Sequence, residues 1–274
     1  VLGAERIGLT DHFFELGGHS LLAMQVISRV RQLLEREVAL RTLFEQPQLQ
    51  GFVLALQAAE GDMAPPMVAI GRDQPLALSF AQERQWFLWQ LDPHSAAYHI
   101  PSILRLSGQL DQQALQGSFY ALVARHESLR TRINQQDERV VQVIRAAEPV
   151  LITRVDALEA TLQQQVEAEI ARPFDLQQGP LLRVTLMRLA QDLHVLVLVQ
   201  HHIVSDGWSM QVVVDELVQL YGAYRQGEVA QLPALALQYA DYAHWQRQWM
   251  DAGERERQLT YWRELLGGEQ PVLE

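Results

Sequence analysis

The 274-residue chain is acidic, with 22 cationic side chains against 33 carboxylates and a net charge of -11, and 48% of it is hydrophobic. That charge repels phosphate backbones and excludes a general nucleic-acid binder, while the apolar share and length suit about two folded domains. Lysine and cysteine are both absent, which excludes Schiff-base and P-loop lysines, disulfides, thiolate metal sites and cysteine nucleophiles.

A cysteine-free chain fits a reducing, cytoplasmic setting. No apolar run reaches the ~18 residues of a membrane span. The first ten residues do not resemble a signal peptide, and there is no initiator methionine. The chain therefore reads as a piece of a longer polypeptide.

Residues 1–58 have a helical pattern. After Ser20, Leu22, Val26, Val30 and Leu33 recur at steps of three and four, which is one face of an amphipathic helix. Ser20 is expected as its N-cap, and Gly17-Gly18 allows a sharp turn before it. Shorter helices are expected over 41–45, stopped near Pro47, and over 48–59. The segment is too small to build layers around a sheet, so a small all-α bundle follows. From 59 to 75 Gly61, Ala64, Pro65, Pro66, Gly71 and Pro75 break the periodicity, marking a linker. If flexible, it would span about 20–25 Å.

From 76 to 274 helices and strands mix, as in an α+β lobe with a mixed sheet packed by helices. A helix over 79–91 is expected to turn Phe80, Phe87 and Leu91 inward. A strand at 102–106 follows. Asp111 then caps a helix with Leu115, Phe119 and Leu122 on one face. A strand at 140–144 and a helix over 155–171, ending before Pro173, come next. The apolar runs 181–189 and 193–203, separated by Ala190-Gln191-Asp192, read as a hairpin buried on both faces. A long helix follows, with Val213, Leu217, Leu220 and Tyr224 in step and Gly227 as its stop. The tail 235–266 is mostly helical.

Two motifs carry chemistry. In Asp11-His12-Phe13-Phe14-Glu15-Leu16-Gly17-Gly18-His19-Ser20-Leu21-Leu22, a serine opens a helix whose free N–H groups and dipole favour a phosphate ester. Phe13, Phe14, Leu21 and Leu22 are core or partner-surface residues, two roles the sequence does not separate. In His201-His202-Ile203-Val204-Ser205-Asp206-Gly207, side-chain alternation along a strand sends the two histidines to opposite faces. One can face the core and the other a cavity, where it can act on a proton. Divergent histidines with no third ligand do not suit a metal.

The first motif resembles the peptidyl carrier domain of nonribosomal peptide synthetases. The resemblance implies phosphopantetheine on Ser20, installed by a phosphopantetheinyl transferase, with acyl groups supplied by an upstream adenylation domain. The second motif resembles HHxxxDG of condensation domains, which share the chloramphenicol acetyltransferase-like fold. Three further stretches fit that family in order: Ser79 to Leu88, Arg125-His126-Glu127-Ser128-Leu129-Arg130-Thr131, and Tyr239 to Gln246.

By this resemblance His202 is the catalytic-position residue beside His201. Asp206 holds the motif through a salt bridge, and Gly207 allows close approach of substrate. Arg125 and Arg130 are ion-pair residues, and His126 is structural. The implied reaction joins the acyl group carried on Ser20 to an amine delivered by a downstream carrier. An epimerisation-type domain and a non-catalytic recruitment domain are the alternatives on this scaffold. The chain stops about where the first of the family's two lobes would end, so the fragment alone is expected to be weak or inactive in condensation.

Overall fold

The computed structural model describes residues 1–3, 6–34, 36, 38–58 and 65–268, arranged as two compact units, 1–66 and 67–274. Ala59, placed at the end of the third expected helix, and Gly61 and Ala64 of the expected linker lie outside the described residues.

The first unit is a small helical bundle. It comprises α1 (Ser20–Leu34), α2 (Leu40–Glu45) and α3 (Leu49–Ala58). Phe13, Ala23, Val38, Leu43, Phe52 and Leu56 form its core, with Leu22, Val26, Ile27 and Val30 packed against it. The inward stripe of α1 is therefore shifted from the expected one: Ala23 and Ile27 belong to it, while Leu33 is 78% exposed. The segment before α1 is anchored to the start of α3 by backbone bonds, Phe13 N–H to Pro47 O at 2.8 Å and Gln50 N–H to Leu9 O at 2.8 Å.

The second unit is built on a four-stranded mixed sheet in the order β2-β7-β6-β5. Its strands are β2 (His99–Ser107), β5 (Ile152–Asp156), β6 (Leu182–Ala190) and β7 (Leu193–His201); only β5 and β6 run parallel. Central β7 is buried on both faces, as its unbroken apolar run suggests. Leu196 and Leu198 face a core with Phe119 and Leu122 of α5 (Gln112–Arg125) and Val213 and Leu217 of α7 (Gly207–Arg225). Val195, Val197 and Val199 face the other core, with Leu78, Trp86 and Phe174. Asp111 caps α5 through Gln113 N–H and Ala114 N–H, both at 2.9 Å.

A second, three-stranded sheet orders β1 (Leu76–Ala77), β4 (Arg139–Ile144) and β3 (Thr131–Gln136) as β1-β4-β3. The remaining helices are α4 (Phe80–Leu91), α6 (Glu159–Ala171), α8 (Tyr239–Trp249) and α9 (Arg255–Leu266), with a kink between the last two at Gly253, whose φ is +118°.

Three expectations shift here. The helix expected from Val155 begins only at Glu159, because Ile152 to Asp156 pair with β6 as an edge strand. Leu158 offers no capping side chain, so the sequence carried no start signal there. In α4 Phe87 and Leu91 are exposed, at 58% and 68%, while Gln82 and Trp86 are buried. The capping box of Ser79 and Gln82 sets that phase, and the Gln82 amide is committed inward. Finally, Ile70 and Arg72, within the stretch expected as linker, are bonded to Asp241 of α8.

Candidate functional site

In the first unit Ser20 is exposed and is the first residue of α1. The N-cap itself is His19, whose carbonyl accepts from Ala23 N–H at 2.8 Å. Ser20 thus sits one position inside the helix, and the expected N-cap role moves to its neighbour. The two glycines before it have different tasks. Gly17 takes φ of +90°, the left-handed region that favours glycine. Gly18 lies so close to Phe13 that a Cβ would meet its ring and its carbonyl oxygen at 2.5 Å. Phe13 is in the core and fixes the turn, while Leu21 stays on the surface and Leu22 packs inward. No acidic residue occupies the first turn of α1, so the free N–H groups there leave a field that favours an anion. An exposed hydroxyl in such a field fits a phosphodiester-linked group.

In the second unit the two histidines at the end of β7 are held in opposite tautomers. His201 is buried, and its Nδ1 accepts from Ile203 N–H at 3.1 Å, so the neutral ring carries its proton on Nε2. His202 is exposed, and its Nδ1 lies 2.9 Å from the carbonyl oxygen of Ser205. A carbonyl only accepts, so Nδ1 carries the proton and Nε2 keeps a lone pair. Backbone bonds fix this end of the strand, His201 N–H to Leu181 O at 3.1 Å and His202 N–H to Tyr98 O at 2.8 Å.

Asp206 accepts from Ser209 N–H and Ser209 Oγ–H, both at 2.7 Å, as the N-cap of α7. Among the described residues it forms no ion pair, so the expected salt bridge is replaced by a helix cap. A Cβ on Gly207 would meet no atom within 4 Å, so the local fold does not itself demand glycine there.

The other motif stretches are bonded to this loop, to one another or to α7. The Gln82 amide donates to Ile203 O at 3.3 Å and to Gln142 Oε1 at 3.2 Å. Ser79 Oγ meets Tyr239 Oη at 2.9 Å, and Phe80 N–H donates to Gln246 Oε1 at 3.1 Å. Arg125 Nε and His126 Nε2 both bond Glu216 of α7, at 3.1 and 2.6 Å. Arg130 forms no ion pair among the described residues; it donates to the carbonyls of Val123 and Arg145 instead. Sequence reasoning missed Glu216 and Gln82 as partners. Neither stands out within its helix, and their partners lie 60 to 121 positions away.

Burial, with repulsion from His99 and His202, pulls the pKa of His201 down to about 4 from 6.5. Burial also lowers that of His99, with Arg183 adding to the effect. A lowered basic pKa means the unfolded chain takes up the proton first as pH falls. The His201 contribution is therefore complete above pH 6.5 and is lost on the way down to pH 4. At about 1.4 kcal/mol per pH unit this amounts to about 3 kcal/mol. Urea unfolding of the second unit is expected to show its midpoint falling across that window. A flat profile would remove buried neutral His201 from the account.

The comparisons with known proteins fit this arrangement. Residues 72–274 match the family model described as Condensation domain, and residues 1–56 match Phosphopantetheine attachment site. The chain belongs to the condensation-domain family and carries a phosphopantetheine attachment domain ahead of it. Over its whole length it is 46% identical to a linear gramicidin synthase of Brevibacillus parabrevis. Over 99% of its length it is 42% identical to malpibaldin synthetase of Mortierella alpina.

It spans 6% and 5% of those two proteins. Among solved structures, the X-domain in complex with OxyB from teicoplanin biosynthesis covers 78% of this chain, which in turn covers 49% of it, at 35% identity and TM-score 0.71. The first condensation domain of the calcium-dependent antibiotic synthetase, solved with a substrate analogue, covers 73% at 27% identity and TM-score 0.64, and 49% of that chain is covered. Among the described residues no helix is long and apolar enough to cross a membrane.

Proposed function

We propose that this segment works in nonribosomal peptide synthesis, with Ser20 as the phosphopantetheine-bearing residue and His202 as the residue that handles the attacking amine. The observation that carries the reading is the exposed His202 imidazole, its Nδ1–H held on Ser205 O. When bound, the arm supplies a thiol that carries the acyl group as an activated thioester. Ser20 holds it at an exposed helix tip.

The Nε2 lone pair of His202 can accept a hydrogen bond from an amine N–H, orient it, and take its proton. In this tautomer it cannot donate to a developing oxyanion until it has taken that proton. Asp206 keeps the loop in shape as the cap of α7. The donor is delivered by Ser20, and the acceptor comes on a downstream carrier. An upstream adenylation domain and a phosphopantetheinyl transferase complete the partners, in a cytoplasmic setting. The chain covers half of the solved condensation-domain structure, and we expect it to be weak or inactive in condensation by itself.

Incubation with coenzyme A and a phosphopantetheinyl transferase, followed by intact-mass measurement, tests the carrier half. The wild type gains the mass of one arm, and Ser20→Ala gains none. An arm on Ser20→Ala would overturn the assignment.

A second reading, a domain that recruits a partner protein without catalysis, is favoured by the likeness to the X-domain solved with OxyB. It predicts that His202 is dispensable.

A further inference from the structure

A cleft of about 500 Å³ opens in the second unit where β5 and β6 begin. Its wall holds Arg130, Arg132, Arg145, Arg172 and Arg183, against only two carboxylates, Glu148 and Asp175. In a chain of net charge -11 this is a local reversal of sign.

Of these two carboxylates, Glu148 forms no hydrogen bond or ion pair among the described residues, and Asp175 is committed. Asp175 accepts from Gln177 N–H and Gln178 N–H at 2.8 and 3.0 Å, capping its own turn. Glu169, behind the wall, accepts from Thr185 Oγ–H at 3.1 Å and reaches Arg172 only at 3.6 Å.

Arg130 is spent on the carbonyls of Val123 and Arg145, and Arg172 lies beside Glu169; the other three arginines differ in kind. Arg183 is built into the wall. It lies over the Phe174 ring at 4.0 Å, donates to the carbonyls of Glu169, Arg172 and Pro173, and has a buried Nε with no partner. Burial, with the charge of Arg172 adding to it and Glu169 acting the other way, pulls its pKa down to about 10. Arg132 and Arg145 are the open groups. Among the described residues their guanidinium groups form no hydrogen bond and no ion pair, and both line the cleft. The Arg132 stem is already held against Gly179, where a Cβ would lie 3.2 Å from its Nε. The apolar remainder of the lining includes Leu129, Val150 and Leu182.

Planar guanidinium groups match the oxygens of phosphate in two-point contacts, and several of them favour a dianion over a monoanion. We propose that this cleft binds a small phosphate monoester, its oxyanion held by Arg132 and Arg145 and its aliphatic part resting on Leu129, Val150 and Leu182. The inference stands on this cleft alone and does not depend on the roles given to Ser20 or His202.

Calorimetric titration of the 274-residue chain at fixed ionic strength tests it. The probes are butyl phosphate, inorganic phosphate, diethyl phosphate and butyrate. Butyl phosphate is expected to bind tightest. It should lose at least about tenfold in affinity in the double variant Arg132→Gln/Arg145→Gln, whose circular dichroism and melting temperature stay near wild type. Exposed Arg145→Gln alone, expected to lose at least about threefold, keeps the test available if the double variant does not fold. Equal affinity for butyrate would overturn the phosphate assignment, and equal affinity for diethyl phosphate the monoester assignment. No variant effect, or no binding beyond chloride, would overturn the site.

Discussion

His202→Ala is expected to lower amide-bond formation by about 10²–10⁴-fold when introduced into a chain carrying the complete condensation domain with loaded donor and acceptor carriers. The argument is the tautomer. Ser205 O fixes the proton on Nδ1, so the exposed Nε2 is an acceptor, and alanine removes the group positioned to take an amine proton. Loading of Ser20 should be unaffected, because it belongs to the other unit. His201→Ala is a different experiment. It deletes a buried ring that accepts from Ile203 N–H and packs near His99 and Phe174 at 6.1 Å between ring centres. Its loss of activity should therefore come with loss of stability. Retention of activity within about threefold in His202→Ala would sink the amine-handling role and favour the recruitment reading.

Asp241→Ala should lower the stability of the second unit by about 2–3 kcal/mol, because it takes the acceptor from two backbone N–H groups and a partner from Arg72, which keeps Glu127. Its side chain is 1% exposed, yet it accepts four bonds: from Arg72 Nη1 and Nη2 at 2.7 and 3.2 Å, Ile70 N–H at 3.0 Å and Gln238 N–H at 2.7 Å. Burial alone would raise its pKa, but Arg72 and the two backbone donors outweigh that and hold it below the ordinary carboxylate range. Arg72 also reaches Glu127 at 2.8 Å, so one carboxylate ties the segment at 70–72 to α8 and, through Arg72, to the turn after α5. For a unit of this size the melting temperature would drop by roughly 10 °C. Arg72→Ala combined with Asp241→Ala should cost less than the sum of the two single changes, because the pair is directly coupled. A loss below about 1 kcal/mol for Asp241→Ala would show that the buried pair is not what fastens this segment.

The sequence by itself determined the helical first unit, the β6–β7 hairpin, the α5 cap at Asp111 and the stop of α7 at Gly227. Each is a local matter of periodicity, a capping side chain or a glycine near the end of its own helix. It also placed Ser20 at the start of a helix and sent His201 and His202 to opposite faces, because glycines before a helix and alternation along a strand are readable residue by residue. Tertiary structure decided the rest. Edge strand β5 exists only because β6 is beside it, and Leu158 left no cap to announce where α6 begins. Which face of α4 turns inward depended on Gln82 finding Ile203 and Gln142, not on the count of apolar residues. Asp206 became a helix cap rather than an ion-pair partner, and Arg130 a donor to carbonyls. Asp241 waited for Arg72, 169 positions away. Bonds that close over such separations are chosen by packing, and no spacing along the chain encodes them.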